Sequence, residues 1–383
     1  MTSREQLQES QSIRESYTRF PFQGFWTWLT GKELSNRESA RQISPIECAV
    51  WSVIQLVSGI AASVAIMTWH FNAVWILLSV TLTVSGARYI VATIIHHGVH
   101  NAIFRSELAN RILCEVLSTI TIVQPFDSYR RFHVHEHHGR EFSTMDDQDL
   151  AAIYTLGLRP GTTVRRMKWV LAWQCISPLF HVRYLYGRLK SNYHRVPFYR
   201  AAMSSAWLLT LTVVGFALPM STFLIAFVIP LTVVYQICSL LHLVTEHAWV
   251  LRADAQTVRE SHVKNSHGRF CGRKLPPPRL AGVAWVSAWL GWWLEHLLLH
   301  LPARLLIVQG SLVVHDWHHR TGSDRNWPHA VQRREAEVQK ELAQGIYSYT
   351  DIWGINNVIS DVMRRISDAP APPSLSRLKY RLN

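Results

Sequence analysis

The sequence predicts an all-α integral membrane protein: two helical hairpins, hence four transmembrane helices, under a cytoplasmic helical cap that holds a di-metal site. Three observations predict it. Two long stretches, Cys48 to Ala87 and Ala201 to Thr245, contain no Asp, Glu, Lys or Arg. At about 1.5 Å of rise per residue each is roughly twice as long as one bilayer crossing requires, so each reads as a hairpin. Histidines gather into three clusters beside the apolar segments: His96-His97-Gly98-Val99-His100, His133-Val134-His135-Glu136-His137-His138 and His315-Asp316-Trp317-His318-His319. Charge is segregated along the chain, which is 48% hydrophobic yet carries a formal net charge of +13. A span must satisfy its own backbone hydrogen bonds, so helix is the default.

In chain order, residues 1–45 read as a cytoplasmic N-terminal arm. Its polar start, as far as Tyr17, lacks the pattern of a signal peptide. Phe20, Phe22, Phe25, Trp26, Trp28 and Leu29 then form an aromatic cluster suited to the lipid interface. A membrane domain covers 46–330. Its first hairpin runs over roughly 46–95 and turns near Trp69-His70-Phe71-Asn72; the second runs over roughly 201–247 and turns near Leu218-Pro219-Met220-Ser221. Between them, Ile112 to Val123 is apolar but too short to span. Met167 to Tyr186 is broken by Pro178, His181 and Arg183 and reads as an interfacial helix. Residues 252–280 are polar and stop at Pro276-Pro277-Pro278. Ala281 to Val314 carries Trp285, Trp289, Trp292 and Trp293, but also Glu295, His296, His300, Pro302 and Arg304. Such polar groups make a lipid-facing span costly, so this segment is expected to pack as helices against the membrane or the rest of the domain. Residues 331–383 read as a cytoplasmic C-terminal helical tail with a disordered end at Pro370, Pro372 and Pro373.

Neither hairpin turn is charged, whereas the segment between the hairpins carries Arg130, Arg131, Arg165, Arg166, Lys168, Arg183 and Arg188. The positive-inside rule places that segment and both termini in the cytoplasm, with all three histidine clusters on one side. The basic excess is thereby assigned to topology and membrane lipid, and no nucleic acid partner is expected. Cys48, Cys114, Cys175, Cys238 and Cys271 are scattered without a CxxC pair and read as reduced, buried residues.

The clusters point to metal, since imidazole is the commonest ligand near neutral pH. His96 and His100 are four apart and share a helical face; His97 points elsewhere and reads as a support for the ligands. His133 and His137 share a face, with His138 about 100° round, and His135 breaks the pattern. His315, His318 and His319 repeat the idea one residue tighter. So many imidazoles exceed what one ion takes. Structural zinc usually recruits Cys, and none lies near these clusters, whereas two irons with open positions suit oxygen chemistry. A soluble di-iron bundle would use Glu and ExxH motifs. A metal transporter would string its ligands along a path through the spans rather than at one face. Acids should orient the ligands, and Asp127, Glu136, Asp146, Glu246 and Asp316 are available. Arg88 is a charge inside a span, which marks either function or pairing with a buried acid such as Glu246.

The spacing HxxxH, HxxxHH, HxxHH resembles that of the integral-membrane fatty acid desaturase and hydroxylase superfamily over roughly residues 46–330. Tyr129-Arg130-Arg131-Phe132-His133, Asp146-Asp147-Gln148-Asp149 and His100-Asn101-Ala102-Ile103-Phe104 carry the same resemblance. It implies an oxidoreductase with two Fe ions and O2 as co-substrate. Its expected reaction is desaturation of a fatty acyl or related aliphatic substrate, including amino-acid-derived ones. Hydroxylation by a monooxygenase on the same scaffold is the alternative. The stretch His242-Leu243-Val244-Thr245-Glu246-His247 is similar to a Glu-His pair of membrane alkane hydroxylases, which implies His247 as a ninth ligand. His242 is the second choice, and His296 and His300, which repeat HxxxH, stay open. The third cluster, followed by Trp327-Pro328, resembles a bacterial branch that includes dihydrorhizobitoxine desaturase-like proteins, implying a bacterial inner membrane and a small substrate. No His-Pro-Gly-Gly haem signature and no GxGxxG fingerprint occur. The electron donor is therefore expected to be a separate protein of ferredoxin, rubredoxin or cytochrome b5 type, docked on the basic face.

Overall fold

Ser44 starts the first span. In the computed structural model its hydroxyl accepts from the Glu47 N–H at 3.1 Å, and the Glu47 carboxylate accepts from the Ser44 N–H at 2.7 Å. Pro45 takes the first helical position, where its missing donor is no loss. The structure describes residues 3–35, 42–253 and 256–371. Four helices in them are long and apolar enough to cross a membrane: Pro45–Thr68, Val74–Val99, Phe198–Ala217 and Met220–Glu246. Both hairpin turns fall where the charge-free stretches place them. The Trp-rich segment forms Gly282–Ile307, followed by Gly310–Thr321 after a bend of 110°, and this broken pair is a possible fifth span. The chain is thus mostly helical, as expected.

Lipid offers no hydrophobic drive between helices, so close packing and small polar contacts must hold the first hairpin together. A Cβ on Gly59 would lie 2.4 Å from the Thr83 backbone nitrogen, and one on Gly86 2.4 Å from that of Leu56. The absence of a side chain at both positions lets the two backbones meet. The hydroxyls of Ser63 and Ser79 hydrogen-bond across the same seam at 2.9 Å.

Both return spans widen before they reach the histidines. The second is π-helical over Ile90–Ile95. The fourth is π-helical over Leu224–Val234, around Pro230, which cannot donate to the helical ladder. Between the hairpins, Glu107–Ile120 is a short helix capped by Ser106 that buries Cys114 and Leu117. The expected interfacial helix is two: Val164–Ile176 and Pro178–Ser191, broken where Ser177 caps the second and Pro178 opens it. Trp169, Trp173, Ile176, Leu179, Val182 and Tyr186 are exposed there, the face an interfacial pair presents to lipid.

The aromatic arm divides. Phe22, Phe25 and Trp28 stay exposed, but Trp26 and Leu29 are buried. Trp26 stacks on Phe20, ring centroids 4.9 Å apart, and packs with Tyr17 and Trp292. The C-terminal segment packs as closely. Asp351–Trp353 pairs in parallel with Gly268–Phe270. The helix Ile355–Asp368 buries Val358, Val362, Met363 and Ile366 against Leu150, Met167, Leu240 and Trp249. The chain end expected to be disordered lies, from residue 372 onward, outside the described residues.

Candidate metal centre

Four segments deliver the histidines. His96 and His97 sit in the last turn of the second span and His100 caps it. His133 and His137 lie in a π-helical turn, Arg131–His137, with His138 as its cap. The expected α-helical face is therefore replaced by a wider one. His247 ends the fourth span in an extended conformation and bridges to Ser266. His315 opens the helix His315–Thr321.

The nine expected ligands converge, but in two groups. His96, His100, His133, His138 and His318 form one; His137, His247, His315 and His319 form the other; within each, the nitrogens lie within 4.8 Å of one another. The groups adjoin, since the His138 and His319 rings stack with centroids 4.1 Å apart. Nε2 of His96 and His318 are 2.7 Å apart. His247 Nε2 is 3.2 Å from that of His137 and 3.0 Å from that of His319, which is 3.0 Å from that of His315. Nitrogens that share an ion at bonds of about 2.1 Å are spaced by roughly 3 Å. Nε2 of His100, His133 and His138 are buried and find no hydrogen-bond partner. Converging, orphaned acceptor nitrogens fit two metal ions.

The outer nitrogens are held by their surroundings. His137 Nδ1 is 3.8 Å from both Asp147 Oδ1 and Asp149 Oδ2. Burial on its own would lower the His137 pKa, but these carboxylates outweigh it and raise it to about 9. Burial pushes Asp149 up to about 8 against the pull of His137. His247 Nδ1 contacts Ser266 Oγ at 3.2 Å, and His96 Nδ1 contacts the Tyr129 hydroxyl at 3.4 Å. On the inner side instead, Glu246 Oε1 lies 3.1 Å from His315 Nε2, the nitrogen that faces His319, and 3.3 Å from His242 Nε2. A carboxylate behind a ligating imidazole fixes its tautomer, and losing one typically costs about 10–100-fold in metal affinity. Asp147→Asn is expected to lower metal affinity by about that factor. Titration with a competing chelator checks it, and unchanged affinity would remove Asp147 from the site.

The remaining expected residues sort as follows. His97 Nε2 contacts Ser311 Oγ at 2.8 Å, and its ring stacks on Trp327, centroids 4.3 Å apart. That agrees with a supporting place. His242 is anchored by the Ile307 carbonyl at 2.8 Å and belongs to neither group. His296 bonds Tyr17 at 2.7 Å and His300 faces Glu295 at 3.3 Å, so both are also outside. Four expectations need correction. Asp146 is exposed, because Asp147 turns inward to cap Gln148–Thr155; the acids beside His137 are Asp147 and Asp149. Asp316 reaches Arg334 and the Trp317 N–H, so it fixes the helix carrying His315 rather than an imidazole. Asp127 is a surface partner of Arg111. Arg88 contacts Ser239 and the Leu306 carbonyl, and neither a proposed ligand nor Glu246.

Sequence reasoning missed His262. Its ring packs 4.5 Å from His319 and 4.2 Å from Phe142, and burial lowers its pKa to about 4. It is a lone histidine in a polar stretch, and the capping box of Thr257 and Glu260 was the one local sign of a helix there.

A cavity of about 620 Å³ opens beside the histidines and is lined by His96, Tyr129, His133, Asp149, His242 and Glu246 among others. No curated protein matches the chain. The sequence profile of the family described as Fatty acid desaturase matches residues 67–302, a stretch that contains the first two clusters and His247 and stops before the third. Because that match spans more than half of the 383 residues, the chain belongs to the fatty acid desaturase family.

Proposed function

We propose that the protein is an O2-dependent, di-iron desaturase that introduces a C=C bond into a fatty acyl or related aliphatic substrate, amino-acid-derived ones included. It sits in a bacterial inner membrane with its centre and both termini on the cytoplasmic side, and draws electrons from a separate donor protein. The observation that carries this reading is the convergence of nine imidazoles, five and four, two of which, His96 and His133, line the cavity. The histidine set fits two metals on its own chemistry, and family membership supports iron. When bound, the irons supply activation of O2 for attack on an unactivated C–H bond. The chain does the rest. Burial of His96, His133, His137, His247, His315 and His318 excludes water from the ligand set. Asp147 and Asp149 hold His137 with Nε2 inward. Glu246 places a carboxylate between His242 and His315.

The Glu246-His247 pair, similar to that of the alkane hydroxylases, favours the second reading, hydroxylation of an aliphatic C–H bond. Mass spectrometry of lipids and small metabolites from cells with and without the protein identifies the substrate. With that substrate deuterated and labelled O2 supplied, an alkene free of label supports desaturation, and a labelled alcohol supports hydroxylation. Fewer than two irons per chain after reconstitution would sink both.

A further inference from the structure

The metal centre leaves Arg88 unexplained. It lies in the second span eight residues before His96, about 12 Å further along the helix axis. Its side chain is buried, at 3% exposure. Nη1 donates to Ser239 Oγ at 2.9 Å and Nε to the Leu306 carbonyl at 3.3 Å. The guanidinium lies 5.5 Å from the Tyr235 ring centroid. All of these neighbours are uncharged. Nη2 is buried and has no partner, and among the described residues no carboxylate pairs with Arg88. Glu246 is taken by His242 and His315.

Other buried arginines are answered. Arg200 pairs with Glu115, and Arg334 with Asp316 and Asp351. Arg188 and Arg304 direct their nitrogens to backbone carbonyls. Arg269 also lacks an ion-pair partner, but it does not line the cavity. Arg88 does, together with Tyr184, Tyr235 and Ser239, and the same cavity reaches His96 and His133. Arg183 and Arg188 line it too, but Arg183 is exposed and the nitrogens of Arg188 are filled by backbone carbonyls. A desolvated cation without a counter-ion inside a span is costly, and ligands commonly supply the missing charge at such sites.

We infer that Arg88 binds the anionic end of the substrate, and that this end is a free carboxylate. The inference rests on the reading above, that the cavity presents substrate to the metals. Arg88 lines the cavity, and its guanidinium gives the carboxylate oxygens a charge-assisted contact in a dry setting. An ester, amide or thioester leaves the guanidinium uncompensated and binds more weakly. The aliphatic part then runs toward His96 and His133, which line the same cavity.

The test uses the full-length, iron-loaded protein in nanodiscs, with octanoate and its uncharged isostere octanamide as probes, read by calorimetry. Wild-type protein is expected to bind octanoate at least about tenfold more tightly, a gap of about 1.4 kcal/mol. Arg88→Gln should bring the two affinities together with iron content unchanged, and Arg88→Lys should keep a preference for the acid. Equal binding by the wild type, no binding of octanoate, or a preference that survives in Arg88→Gln overturns the inference. If Arg88→Gln does not fold, the wild-type ratio and its retention in Arg88→Lys decide. Binding is read without turnover, so an inactive preparation counts against the desaturase reading and leaves this ratio measurable.

Discussion

His318→Ala is expected to cut substrate oxidation by at least about 100-fold and to lower the iron content toward one per chain. His318 Nε2 stands 2.7 Å from that of His96, at the middle of the group of five. Loss of a residue that merely orients a ligand costs about 10–100-fold in affinity, and loss of a ligand should exceed that. His247→Ala, in the group of four, should strip the other ion. If each group holds its own metal, the single variants retain different irons, separable by Mössbauer spectroscopy, and the double variant retains neither. Full iron in both single variants would refute the assignment. Residual activity alone would not, because neighbouring imidazoles can share a vacated position.

Arg334→Met is expected to destabilise the fold by about 3–5 kcal/mol, because it leaves the buried Asp316 without a cation and Asp351 with Lys32 alone. Arg334 Nη2 is 2.6 Å from Asp316 and 2.8 Å from Asp351, and Lys32 Nζ is 2.8 Å from both Asp351 and Glu335. All five side chains are buried. They tie the N-terminal arm, the third histidine helix and the C-terminal segment together. Arg364→Met breaks only the exposed pair with Asp361 and should cost less than about 1 kcal/mol. Thermal unfolding in one detergent compares the two.

The pH dependence has a defined sign. Burial favours a neutral Asp351, but Lys32 and Arg334 outweigh it and hold its carboxyl well below the usual range. A folded pKa below the unfolded value of about 3.9 adds stability that is complete above that pH and is lost as pH falls toward the folded pKa. The wild type should therefore lose its advantage over Arg334→Met below about pH 4. A gap that stays constant to acid pH would show that Asp351 is not held by these cations.

The spans were legible because their signal is local. Any charge in Cys48 to Ala87 would have to be desolvated, so its absence alone marks the membrane. The ligands were legible because helical spacing is also local. Neither reached the division of the site. His137 and His138 are adjacent, as are His318 and His319, yet each pair sends its members to different groups. Neighbouring residues on a helix point about 100° apart, and only the packing of four segments decides what stands opposite each ring. The same limit hid Asp147 behind Asp146, since one capping turn selects which carboxylate faces inward.

By itself, then, the sequence determined a four-span helical membrane chain with eight histidines of ligand type, because desolvation and helical period are written into short stretches; the ninth, His247, came from resemblance. The tertiary structure alone decided the five-and-four partition. It also made the C-terminal segment part of the scaffold and left Arg88 beside a cavity without a counter-ion. Those depend on contacts between residues far apart in the chain, which no local pattern encodes.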